Sequence, residues 1–294
     1  MSDNELMIVS DAEIAALAGE MGASAEDLQG GGTYLPSLKV WGKDDGEEED
    51  APRLKGKMVV LNVPGYEEPV FVVPGTITFR PLTQVFQYTH WDDENKKTIN
   101  RTRLAFSFKE EFRDEKGTVR CGKPASKDLK DNKALQKQWE DVKVFRRVQG
   151  LLTFTGYLAS DVDAKFEVTD LLSVINSKGA NFLEFDEEFV KKLPPKSFLW
   201  DWSAKISTTR HVNGQVTYWC FHYEPDFTNK LKLTRPIMDT ISGLKNQIED
   251  LNAAIDKKYY DAINGRTSED DAIGALKTVG GSLDDDMSDD IPFN

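Results

Sequence analysis

Residues 198–223 read FLWDWSAKISTTRHVNGQVTYWCFHY, and this stretch decides the fold. Two runs rich in Trp, Tyr, Phe, Ile, Val and Thr, Phe198 to His211 and Gln215 to Tyr223, meet across Asn213-Gly214. Asn-Gly between two such runs is the strongest short-range signal for a β-hairpin, because a two-residue turn of the right twist needs positive φ at both central positions. Strand alternation puts Phe198, Trp200, Trp202, Ala204 and Ile206 on one face and Lys205 and Thr209 on the other. On the returning strand Tyr218 and His222 share one face, and Trp219, Phe221 and Tyr223 the other. Both faces are aromatic there, so one of the two sets is expected to be less buried and open for stacking.

Outward from the hairpin, β patterning dominates. Lys57 to Val63, Val70 to Val73, Thr76 to Arg80, Leu82 to Trp91, Arg101 to Lys109 and Thr118 to Cys121 read as strands, separated by Pro-Gly, Asp-Asp-Glu-Asn and Asp-Glu-Lys-Gly turns. Residues 126–141 read as a helix, and Val142 to Tyr157 as a long strand. Val168 to Asn176 reads as a short helix stopped at Lys178-Gly179, and Asp186 to Leu193 as another ended by Pro194-Pro195. Arg235-Pro236 opens a long helix in which Ile237, Ile241, Leu244, Ile248, Leu251, Ile255 and Tyr259 form one apolar seam. That seam is expected to pack on the chain's own core, although it leaves room for a homo-oligomer. At the other end, Ser10 and Glu13 have capping-box spacing ahead of a short helix carrying Ile14, Leu17, Ala18 and Met21, and Gly30-Gly31-Gly32 breaks it. The expected organisation is therefore an N-terminal acidic arm (1–54), a strand-rich core (55–233), a C-terminal helix (234–265) and a disordered acidic tail (266–294).

The net charge of -13 is unevenly placed. Residues 1–54 carry -10 and residues 267–294 carry -7, which leaves the middle at +4. A basic body between acidic ends suits a chain that meets a polyanion. No export signal or stretch of about 20 apolar residues is present, so a cytoplasmic location without a membrane is expected. The two cysteines, Cys121 and Cys220, are read as free thiols. Several chemistries lack their residues. Gly30-Gly31-Gly32 lacks the Lys-Ser/Thr of a phosphate loop, and Cys220 with His222 is read as filler rather than half of a zinc site, so neither metal nor cofactor is expected. The pairs Asp92-Asp93 and Glu187-Glu188 fall in loops or helix starts, and no nucleophile, base and orienting group assemble. Enzymatic activity is not expected.

Cations and aromatics interleaved on strands suit sequence-tolerant single-strand binding, in which cations track phosphates and flat side chains stack on bases. The candidate phosphate contacts are Arg80, Arg101, Arg103, Arg146, Arg147, Lys205 and Arg210, with Arg101, Arg103 and Lys109 expected outward and Leu104, Phe106 and Phe108 inward. Candidate stacking residues are Tyr88, Trp91, Tyr218, Trp219 and Tyr223. The chain closes on Asp284, Asp285, Asp286, Met287, Ser288, Asp289, Asp290, Ile291, Pro292, Phe293 and Asn294, five aspartates without a cation followed by an apolar tip.

Asp289-Asp290-Ile291-Pro292-Phe293 resembles the C-terminal tip of bacterial and phage single-stranded DNA-binding proteins, whose acidic tail ends in this motif. In that family the phenylalanine is usually terminal, whereas Asn294 follows it here. The resemblance implies an OB-fold with extra hairpins, and therefore a mainly β protein with added helices. It also implies sequence-nonspecific coating of single-stranded DNA in phage replication, recombination or repair inside a bacterial host. The tail residues Asp284 to Asp286 and Asp289 to Phe293 would recruit a polymerase, helicase, primase or nuclease. Two other classes stay open at this point: a virion structural or scaffolding protein that binds no DNA, and a replication-accessory or annealing protein.

Overall fold

The computed structural model describes residues 35–42, 54–214 and 216–265. The expected N-terminal helix, the triple glycine, the acidic loop from Asp44 and the tail lie outside them. The chain divides into Met1–Leu35 and Pro36–Asn294, and the second unit carries the sheet and its helices. Its strands are β1 (Ser37–Val40), β2 (Met58–Leu61), β3 (Val70–Val72), β4 (Thr78–Asp92), β5 (Lys97–Arg101), β6 (Val142–Leu158), β7 (Phe166–Ser177), β8 (Ser203–Asn213) and β9 (Val216–Asp226). The helices are α1 (Ser126–Leu129), α2 (Lys133–Gln138), α3 (Ala180–Glu188) and α4 (Arg235–Asn264). No helix among the described residues is long and apolar enough to cross a membrane.

β6 is the strand around which the sheet is built. One of its edges pairs with β7, while the other takes β4 along Val142 to Thr153 and then β3 from Gly156 to Leu158. β3 and β4 can share that edge because Pro74-Gly75 turns the chain between them, with Gly75 at φ +80. β1, β2, β3, β6 and β7 close into a ring, antiparallel throughout except for the parallel β1–β7 pair. The result is a five-stranded mixed barrel with added strands and helices, compatible with an OB-fold. β8 joins β4 at Thr78 and Phe79 and carries β9 on its other side. The main core inside includes Val60, Val70, Phe79, Val148, Leu152, Phe154, Ile175, Phe185, Phe189, Phe221 and Tyr223. Gly150 permits the close crossing of β4 and β6, since a Cβ there would lie 2.2 Å from the Arg80 carbonyl oxygen.

Several expectations need correcting. Val168 to Asn176 is not a helix but most of β7. Between Leu152 and Phe154 the register shifts, so Thr153 faces a bulge in which Asp170 takes φ +50 and its N–H donates to Thr153 Oγ1. The bulge breaks the two-residue alternation and spaces Val168, Leu171, Leu172 and Ile175 as a helix would. The expected helix from Asp186 begins earlier, at Ala180, and gives way to a 3-10 turn at Val190–Lys192 before the prolines. Residues 126–141 form two short helices rather than one. Thr76 to Arg80 and Leu82 to Trp91 are one strand, β4, bent by a bulge between Pro81 and Thr83. Arg101 to Lys109 is not a strand beyond Arg101, and only isolated bridges at Thr102 and Ala105 tie residues 102–109 to their neighbours in the manner of a sheet. Thr118 to Cys121 likewise reduces to a bridge and a 3-10 turn. The hairpin forms where expected, but Asn213 is not a central turn residue: it ends β8 and pairs with Val216, so the turn begins at Gly214, with φ +57, and a 3-10 turn at Leu199–Asp201 delays β8 to Ser203.

α4 packs its seam through the buried Leu244, Ile248 and Ile255. The fourth buried residue is polar. Asn252 accepts from Leu104 N–H at 2.7 Å and donates to Leu104 C=O at 2.8 Å, satisfying both backbone groups where the chain leaves the sheet after β5. Replacing Asn252 by alanine leaves two buried polar groups unpaired and is expected to lower stability by about 2 kcal/mol or more. The urea unfolding midpoint measures this, and a change below about 0.5 kcal/mol, the scale of an ordinary surface substitution, would show that the bracket is dispensable.

Candidate nucleic-acid interface

Strand alternation along β6 separates two sets of side chains. Val142, Val144, Arg146 and Val148 point inward and are buried, whereas Lys143, Phe145 and Arg147 point outward and are half-buried. The outward row lies opposite Thr89, Gln87 and Val85 of β4, and Arg147 also faces Asn176 of β7. Just past the end of β7, the Lys178 ammonium lies 5.6 Å from the centre of the Phe145 ring. Cation, ring and cation therefore alternate along one strand, with a further cation beside the ring.

The charges in this row repel one another. Burial pushes the Lys143 ammonium below its ordinary range, and the nearby Lys123 and Lys178 add to the effect against the opposing pull of Glu140 and Asp141. Burial also lowers the Arg147 guanidinium, and the Arg101 charge lowers it further. Among the described residues no carboxylate pairs with Arg147, and its Nε reaches no hydrogen-bond partner. A half-buried cation beside another cation and without an anion is held at a cost that a bound anion removes. The row is thus an anion-attracting surface with a flat ring at its centre.

Arg146, its neighbour in sequence, is a different kind of residue. It is 1% exposed. Its Nη2 donates to Asp186 Oδ1 of α3 at 2.8 Å, and its guanidinium lies 4.4 Å from the Phe182 ring and 5.4 Å from that of Phe86. It ties α3 to the sheet from inside.

The other expected cations scatter. Arg80 donates to the carbonyls of Trp200 and Lys232, stapling two loops. Arg101 pairs with Glu115 and Arg103 with Asp256 of α4, so each already faces a carboxylate. Lys205 and Arg210 are exposed on opposite faces of β8, Arg210 reaching Thr217. Of the expected stacking residues, Tyr88 and Tyr223 lie in the core, edge-on to Phe112 and Phe185, and neither presents a face to solvent. Trp91 is 39% exposed at the end of β4. Tyr218 stacks on His211 at 5.3 Å, and Trp219 packs over Gly56 beneath the Lys55 ammonium. Phe198, expected on a strand face shared with Trp200 and Trp202, is 57% exposed and stacks on Trp200 because the 3-10 turn lifts both out of the strand. Only Arg147, with Arg101 near it, belongs to the outward row. Lys143, Phe145 and Lys178 were missed, yet the alternation of Val142, Val144, Arg146 and Val148 marks residues 143, 145 and 147 as the outward set.

His222, paired with Cys220 in the sequence reading, has its Nδ1 2.5 Å from Glu188 Oε1. Both cysteines are free and buried. Cys220 instead lies near Glu184 and His211. No protein-family model, curated protein or solved structure matches this chain.

Proposed function

We propose that this chain is a sequence-nonspecific single-stranded DNA-binding protein that uses the outward face of β6, and that its acidic tail recruits partner enzymes of replication, recombination or repair. The observation that carries the reading is the row of Lys143, Phe145, Arg147 and Lys178, in which Arg147 has no carboxylate partner among the described residues, on a barrel compatible with an OB-fold. Cations spaced along a strand meet successive phosphates, and Phe145 offers an unpaired base a face that a duplex does not present. The tail's likeness to the Asp-Asp-Ile-Pro-Phe tip supports the recruiting role, and the +4 body between acidic ends supports a polyanion ligand. A bacterial host cytoplasm is the compartment this reading implies.

Titrating the full chain with oligo-dT and with a duplex of equal length, at several salt concentrations, tests the reading. Binding of oligo-dT that weakens steeply with salt, with weaker binding of the duplex, is expected. Absence of any oligo-dT binding at low salt would contradict it, and a duplex bound as tightly as oligo-dT would favour the annealing or accessory class.

A further inference from the structure

β9 is the free edge of the sheet, and α3 covers it. Asn181 Oδ1 accepts from Phe221 N–H at 2.7 Å, and Glu188 Oε2 accepts from Tyr223 N–H at 2.6 Å. Glu184 lies three residues after Asn181 and four before Glu188, so helical periodicity puts it on the same face, aimed at β9 between those two staples. On the hairpin, His211 lies opposite Tyr218, and Cys220 opposite Thr209, which makes His211 and Cys220 diagonal neighbours on one face. The three ligand atoms, a carboxylate oxygen of Glu184, a ring nitrogen of His211 and Cys220 Sγ, all lie within 4.8 Å of one another. Cys220 is buried, while Glu184 and His211 are half-buried. The His211 ring is held by its stack on Tyr218, with 13° between the planes.

We propose that Glu184, His211 and Cys220 form a mononuclear Zn2+ site that clamps α3 to the β8–β9 hairpin. Thiolate, imidazole and carboxylate are the donors zinc takes, at about 2.0 to 2.3 Å each, and an ion at the centre of this triangle is reached by small side-chain rotations. Three protein ligands leave a fourth tetrahedral position to water. The ion adds a cross-link to the two hydrogen bonds by which α3 already covers the β9 edge. It does so independently of whether the chain binds DNA.

Cobalt is the probe, because a Co2+–thiolate bond gives a near-ultraviolet charge-transfer band that carboxylate clusters cannot produce. The full chain, stripped of metal by a chelator, is titrated with Co2+ and then with Zn2+. One equivalent of Co2+ should give the band together with the visible bands of a tetrahedral ion, and Zn2+ should abolish both. Cys220→Ala should lose the charge-transfer band while Cys121→Ala keeps it. His211 is half-buried at the hairpin surface, so His211→Asn should fold and bind Co2+ at least about tenfold more weakly, since even outer-sphere changes cost about 10- to 100-fold. No charge-transfer band in the unaltered chain, or a band that survives Cys220→Ala, would overturn the proposal. Unchanged affinity in His211→Asn would equally remove His211 as a ligand and overturn the three-residue site.

Discussion

Asp186→Ala is expected to lower the stability of the chain by about 3–5 kcal/mol, because it leaves the Arg146 charge buried without its partner. Arg146 cannot turn to water: it is closed in by Phe86, Phe182 and Phe185, whose rings lie between 4.4 and 5.6 Å from the guanidinium. Its Nη2 donates to Asp186, whereas its Nε and Nη1 reach no partner among the described residues. The ring faces attract the cation but do not replace a carboxylate. For a domain whose whole stability is about 5–15 kcal/mol, the loss is a large fraction of the total. Lys191 also approaches Asp186, at 3.5 Å, but that ammonium is exposed and its contact is worth little. The double replacement Arg146→Met with Asp186→Leu removes both charges and should recover most of the loss. Urea unfolding of the two variants measures the difference. A single-variant cost below about 1 kcal/mol would contradict a sealed, mutually dependent pair.

Phe145→Ala is expected to leave stability nearly unchanged and to weaken single-stranded DNA binding by roughly 5- to 150-fold, the equivalent of about 1–3 kcal/mol for one lost base stack. Phe145 is half-buried on the outward row, beside Lys178, and belongs to no core cluster of the molecule. Fluorescence or anisotropy titration with oligo-dT reads the effect. Tyr88→Phe serves as the contrast, because Tyr88 is fully buried and should not alter binding. Equal affinities for the Phe145 variant and the unaltered chain would remove Phe145 from the interface.

Much of the fold was legible because local signals matched the tertiary outcome. Asn213-Gly214 marked the hairpin, and the apolar seam from Ile237 marked the long α4. Where the expectations failed, a backbone irregularity had hidden the period. The Asp170 bulge made β7 look helical, and the 3-10 turn at Leu199–Asp201 took Phe198 and Trp200 out of the strand alternation expected for them. Strand length misled as well. Extending Arg101's strand to Lys109 placed Arg103 on an open face, while Asp256 and Asn252, about 150 residues away, hold that segment against α4. No local pattern could supply those partners. The candidate site was half legible. Arg147 was named with Arg146 as a pair of cations, although alternation alone places them on opposite faces, one sealed against Asp186 and one turned outward. The position of Lys178 beside Phe145 could not be read locally, because it depends on the pairing of β7 with β6.

The central claim, that cations on the outward face of β6 meet the phosphates of a single strand, is tested most directly by the salt dependence of oligo-dT binding in Lys143→Ala/Arg147→Ala/Lys178→Ala. Each phosphate contact on a single strand contributes about 0.7 to the slope of log K against log salt, so removing three should make the slope shallower by about 2. The urea midpoint of the variant is measured alongside, so that a loss of folding is told apart from a loss of phosphate contacts. A slope reduced by about 2 in a folded variant is the predicted result, whereas an unchanged slope with unchanged affinity would contradict the account.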